Sequence, residues 1–261
     1  MKLTLYQVDA FAEQVFAGNP AAVCPLDEWL ADDLLLKIAA ENNLSETAFY
    51  VPQDKGFEIR WFTPTVEVDL CGHATLATAF VLHQFENYTW STINFYSPRS
   101  GHLPVAVKNG SYILNFPVDH VVEIPLTEEL LSATDKTPKA AYRGKTDYML
   151  VFEEEDDIEA MRPNLSAIAQ LKARGVIVTA PGRNYDFVSR FFAPTVGIDE
   201  DPVCGSAHTT LIPFWANQLN KEELKTYQCS ARGGELHGRL LGDRVELGGK
   251  AVLYMKGEMF L

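Results

Sequence analysis

Two short stretches of this chain pair a cysteine with a glycine where an apolar helix is about to begin: Cys71-Gly72-His73-Ala74 and Cys204-Gly205-Ser206-Ala207. A helix N-terminus presents backbone N–H groups without intrahelical partners and a partial positive charge, so it attracts carboxylates and steadies developing anions. Glycine at that point lets another atom approach the backbone closely. Two such turns suit carbanion or enolate chemistry on a small acid. Side chains nearby could move the proton. Glu46 stands just before an apolar strand, where partial burial would raise its pKa and make it a proton donor and acceptor; the position also suits a plain strand-edge carboxylate. His73 fits either a catalytic group or a helix cap. Asp201 before Pro202 and Ser206 after Gly205 are a turn residue and a cap, or parts of the same machinery. Cys71 and Cys204 are either small buried hydrophobes or thiols whose pKa a helix N-terminus lowers, which would make a two-base racemase. Ser45, Gly72, Gly205 and Ser206 are the candidate substrate-binding positions.

The elements that must position these residues come in duplicate. The run from Phe57 to Asp69 matches the run from Phe187 to Asp199 at an offset of 130, with Phe57, Arg60, Phe62, Pro64, Thr65, Val66 and Asp69 all repeated. Three residues near 200–202 are then inserted, and the offset becomes 133 for Cys71/Cys204, Ser97/Ser230, Arg99/Arg232, Gly101/Gly234 and Leu114/Leu247. Sustained self-similarity of this kind marks a duplicated unit. Alternation and turn residues predict strands at 2–11, 21–25, 47–51 and 57–62, an amphipathic helix at 28–42 capped by Asp27, and a buried helix at 73–85. Asn109-Gly110 marks a hairpin. The second half predicts a helix at 165–174, strands at 176–180 and 186–192, a helix at 206–219 that Pro213 must kink or shorten, and a hairpin turning at Gly242-Asp243. The acidic run 153–157 reads as a solvated loop. The expected fold is α/β (α+β): two pseudo-symmetric domains, 1–118 and 119–261, each a mixed curled sheet around a central apolar helix. The last strands have room to cross back to the first domain.

Composition narrows the function. The 261 residues carry a net charge of −13, which argues against nucleic acid, since phosphate binding needs clustered Lys and Arg. No apolar run approaches the roughly 18 residues of a membrane span. Four scattered cysteines read as reduced thiols in a cytoplasmic protein. No glycine-rich phosphate loop or dinucleotide fingerprint is present. For a metal site built from Cys71, His73, Cys204 and His208 only the i, i+4 spacing of the last two speaks, so neither cofactor nor metal is expected.

Asn19-Pro-Ala-Ala-Val, Asn43-Leu-Ser-Glu-Thr-Ala-Phe, Cys71-Gly-His-Ala-Thr-Leu-Ala and Asp201-Pro-Val-Cys-Gly-Ser-Ala-His occur in order along the whole chain. Together they resemble the phenazine-biosynthesis (PhzF-like) isomerase family. The resemblance implies the diaminopimelate epimerase-type fold, a site between two similar domains, a homodimer, a small anionic substrate and proton transfer without a cofactor. It also implies Glu46 as the acid/base, with His73, Asp201 and Ser206 beside it. Diaminopimelate epimerase and proline racemase are similar in placing one catalytic cysteine at each Cys-Gly turn. The phenazine-type pattern lacks that pair, so Cys71 and Cys204 keep a two-cysteine amino-acid racemase open as the alternative. A small-molecule binding protein without catalysis is the third.

Overall fold

In the computed structural model, which describes residues 1–261, the chain divides into two compact units. Met1–Asn115 with Gly248–Leu261 form the first, and Phe116–Leu247 the second. The first holds strands β1 (Lys2–Ala10), β2 (Asn19–Pro25), β3 (Glu46–Gln53), β4 (Gly56–Phe62), β5 (Glu67–Val68), β6 (Thr92–Ser97), β7 (Gly101–Lys108) and β8 (Ser111–Pro117). Helices α1 (Asp32–Asn42) and α2 (Gly72–Phe85) lie between them. The second holds β9 (Val122–Ile124), α3 (Glu128–Leu131), β10 (Ala140–Arg143), β11 (Tyr148–Val151), α4 (Glu155–Glu159), α5 (Leu165–Ile168), β12 (Val176–Pro181) and β13 (Phe187–Phe192). It continues through α6 (Gly205–Leu219), β14 (Glu223–Gln228), β15 (Gly234–Leu241) and β16 (Arg244–Gly249). The last strand, β17 (Ala251–Phe260), runs antiparallel to β1 from Lys2↔Phe260 to Ala10↔Ala251. It covers what would be an open edge, and it takes residues 248–261 out of the second half and into the first.

The two units repeat one ladder. In the first, β17, β1, β2, β3, β4, β6 and β7 pair in turn as antiparallel, antiparallel, parallel, antiparallel, parallel and antiparallel. In the second, β9 to β15 pair in the same succession. Registers refine the repeat: Phe57 pairs with Phe95 but Phe187 with Thr226, so β6 and β14 correspond at an offset of 131. Two extra residues in the turn after β14 restore 133 at Gly101 and Gly234. The Ser97/Ser230 match is therefore one of sequence only.

Each unit folds round its apolar helix. In α2 the run from His73 to Ala79 is wholly buried, against β1, β2 and β3; in α6 the buried set runs from Gly205 to Ala216, against β14 and β15. Gly238 on β15 is glycine because a Cβ there would strike the Ile212 side chain of α6 at 2.0 Å.

Several local expectations give way. Helix α1 begins at Asp32 behind Ala31, not at Asp27, because Trp29 and Leu30 pack on the core while Asp32 meets Arg60. The 165–174 helix is a single turn, ending at Ile168; Arg174 N–H donates to Thr146 O instead of continuing it. Pro213 neither stops nor shortens α6. The carbonyl it leaves unpaired, that of Thr209, accepts from Asp119 N–H at 3.1 Å. The acidic run enters α4, with Glu155 buried and accepting from Arg183 N–H at 2.6 Å.

Candidate active site

In the first unit three element starts converge. Asn19 opens β2, Glu46 opens β3 opposite Ala21 of β2, and Cys71 precedes α2 in an extended conformation with Gly72 as the first helical residue. His73 Nε2 lies 3.3 Å from Glu46 Oε2, and both side chains are largely buried. Asn19 Nδ2 is 3.2 Å from His73 Nδ1, and Cys71 Sγ is 3.5 Å from the same nitrogen. An amide nitrogen can only donate, so Nδ1 accepts and the ring proton sits on Nε2, facing the carboxylate. Burial pulls the His73 pKa down to about 3, so the ring is neutral at ordinary pH. Ser45 precedes Glu46, half-buried, and takes no part in the Glu46–His73–Cys71 contacts.

Glu46, Cys71 and His73 place one ligand atom each within 4.8 Å of one another, a mixed donor set that could hold a divalent cation. His208 takes no part in such a set. Its Nδ1 is bonded to Cys204 O at 2.8 Å and its ring is fully buried.

The second unit builds a different cluster on the same scaffold. Arg174, in the segment just before β12, donates from Nη1 to Ser206 Oγ at 2.9 Å and from Nε to Asp147 Oδ1 at 2.9 Å; its Nη2 meets Asp147 Oδ2. Its guanidinium lies 5.0 Å from the centre of the Phe191 ring. Ser206 Oγ is 3.2 Å from Cys204 Sγ. Gln228 clamps the turn, accepting from Cys204 N–H at 2.9 Å and donating to Asp201 O at 2.6 Å. Asp201 Oδ1 accepts from Val203 N–H at 3.2 Å. Gly205 is buried at the first helical position. The structure thus groups Glu46, Gly72, His73 and Cys71 in one unit, and Asp201, Cys204, Gly205 and Ser206 in the other.

Burial pushes the Cys204 thiol above its usual range, with Asp201 adding to the rise, despite Arg174 and Ser206 pulling the other way. Desolvation dominates at this thiol, so burial works against the lowering expected of a helix N-terminus. Arg174, Asp147, Gln228 and Asn19 escaped a reading of residue types. Position held the signal for Arg174, which precedes β12 as Glu46 opens the equivalent strand β3.

Comparison with known proteins agrees with this picture. The family model for phenazine biosynthesis-like protein matches residues 8–257. An uncharacterized isomerase of Pseudomonas aeruginosa is 52% identical over 262 residues, covering 100% of both chains. A phenazine biosynthesis protein of the PhzF family from Enterococcus faecalis superposes with a TM-score of 0.97 at 48% identity, covering 100% of each chain. A hydroxyproline epimerase from Agrobacterium vitis shares the fold, with a TM-score of 0.62 at 8% identity over 98% of this chain and 92% of that one. A duplicated α+β ladder, a Cys-Gly turn at the head of each buried helix and matches along nearly the whole chain place this protein in the phenazine biosynthesis-like family.

Proposed function

We propose that the protein is a cofactor-independent isomerase that shifts a proton within a small carboxylate substrate, with Glu46 as the general acid/base. The observation that carries this reading is the Glu46 carboxyl set 3.3 Å from a neutral His73 at the start of α2. Glu46 takes a proton from one carbon, the bonding pair shifts through the conjugated system, and the same carboxyl returns the proton to another carbon on the same face. The free N–H groups at the start of α2 steady the charge in between. The chain's charge of −13 repels an anionic substrate, so a local cation has to recruit it.

In a two-cysteine racemase one thiol acts as base and the other as acid, and burial raises Cys204 away from the base role. A purely binding protein would have no use for a carboxyl and a neutral imidazole buried together. Four free cysteines suit a reducing, cytoplasmic setting, and no helix is long and apolar enough to cross a membrane.

The test is deuterium incorporation from solvent into small unsaturated acids and amino acids turned over by the protein. Glu46→Gln loses about 10²–10⁴-fold in rate, while Cys71→Ser and Cys204→Ser keep most of it. Loss of exchange in both serine variants with Glu46→Gln still active would replace the isomerase with the racemase.

A further inference from the structure

The interior of the second unit contains a polar seat that its duplicate lacks. Three side-chain atoms there, Ser189 Oγ, Thr226 Oγ1 and His208 Nε2, are buried without any protein hydrogen-bond partner. Their residues are 1%, 0% and 0% exposed, so bulk water does not reach them. An unpartnered buried polar atom costs about 1–3 kcal/mol, and native interiors seldom leave three together.

The ladder brings two of them, Ser189 and Thr226, onto one face. Phe187 pairs with Thr226 and Ser189 with Gln228, so these four residues form one rectangle on a single face of β13 and β14. That face meets α6 at both ends. The Phe187 ring stacks on Trp215 at 5.7 Å and lies 6.1 Å from His208, while Gln228 accepts from Cys204 N–H. His208, one turn beyond Cys204, therefore lies beside this rectangle, its ring 6.1 Å from that of Phe187. Its Nδ1 is bonded to the Cys204 carbonyl, which leaves Nε2 as a buried acceptor without a protein partner.

The first unit shows what a dry version looks like. By the ladder registers, Ile59 stands where Ser189 does and Phe95 where Thr226 does, and Thr75 takes the place of His208. Thr75 makes the equivalent bond, Oγ1 to Cys71 O at 2.6 Å, and the Ile59 and Phe95 side chains fill the space. Exchanging isoleucine and phenylalanine for serine and threonine removes more volume than histidine restores, and it exchanges apolar walls for polar ones.

We propose that the second unit binds an internal water between α6 and strands β13 and β14, donating to His208 Nε2 and bonded to Ser189 Oγ and Thr226 Oγ1. Three polar partners is the usual complement of a buried water, and polar walls are what separates a hydrated cavity from an empty one. The water fixes the His208 ring, which holds the Cys204 carbonyl. It therefore braces from below the turn that carries Asp201, Cys204 and Ser206. Ser189, Thr226 and His208 are positioning residues, none of them in the Arg174–Ser206 cluster itself. Burial, which draws the His208 pKa down to about 4, keeps the ring neutral and Nε2 free to accept.

The decisive measurement is a crystal structure of the unmodified full chain, at a resolution where ordered waters are seen. A density peak within about 2.6–3.2 Å of all three atoms is expected. Direct hydrogen bonds among the three side chains, with no peak between them, would overturn the site. The positioning role is read by amide hydrogen exchange. In Thr226→Val the Cys204 amide exchanges roughly two- to tenfold faster, the loss of about one hydrogen bond, while the Val178 amide on β12 is unchanged. Equal Cys204 protection in variant and parent removes that role; equal loosening at Val178 reduces it to general destabilisation. Neither readout involves turnover, so failure here leaves the assignment of Glu46 untouched, and the reverse.

Discussion

His73 is uncharged at neutral pH because burial draws its pKa down to about 3, so its close approach to Glu46, 3.3 Å from Nε2 to Oε2, is not an ion pair. Its orientation is set by Asn19, whose amide occupies Nδ1 and leaves the proton on Nε2. Asn19→Ala is expected to mix the two tautomers, visible in the nitrogen NMR shifts of the ring. It should also lower kcat roughly tenfold or more with little change in KM, since the donor then turns partly away from Glu46. Cys204 differs from the usual helix-terminal thiol for the same reason that His73 differs from a surface histidine: the charged form would have to give up its water.

At the scale of elements, the duplicated arginines perform duplicated work. Arg60 grips Glu67 through Nε and Nη2 at 2.7 and 3.0 Å and lies 5.1 Å from the centre of the Phe62 ring. Arg190 grips Glu200 at 2.7 and 2.9 Å and lies 4.9 Å from the centre of the Phe192 ring. Each clamp ties the loop before a buried helix to the strand behind it, and in the second copy the partner comes from the inserted segment. Arg60→Met and Arg190→Met should each cost about 3–5 kcal/mol, the range for stranding one partner of a largely buried pair, as measured by urea denaturation. Pro213→Ala should change stability by less than about 1 kcal/mol, because Asp119 already satisfies Thr209 O. Repeated Phe, Arg and Pro positions were legible in the chain because side-chain types recur. The Asp119–Thr209 bond was not, since it joins residues that only the fold makes neighbours.

For the molecule as a whole, two buried neutral histidines set the acid limit. The folded pKa of His73 is about 3 and that of His208 about 4, both below the ordinary 6.5. Between those values and 6.5 the unfolded chain binds protons that the folded chain refuses, so stability falls as pH falls through that window. Each histidine adds a slope of about 1.4 kcal/mol per pH unit there, and neither contributes above it. Denaturant midpoints measured from pH 7 to pH 4 should drop steeply. His208→Gln should flatten the curve by one histidine's share, even where it lowers stability at pH 7.

The chain by itself determined the duplication, the two Cys-Gly turns and the apolar helices behind them, because these rest on residue type, spacing and short-range periodicity; Glu46 as the acid/base came only from the resemblance to the phenazine-biosynthesis (PhzF-like) family. Tertiary structure decided the rest. It paired β17 with β1, brought Asn19 to His73 and Arg174 to Ser206, and lengthened α6 through a proline. It also buried His73 and Cys204, which draws the histidine pKa down and pushes the thiol up. Those outcomes depend on desolvation and on hydrogen-bond partners far away in sequence, and both are properties of everything packed around a group rather than of the group's own neighbours along the chain.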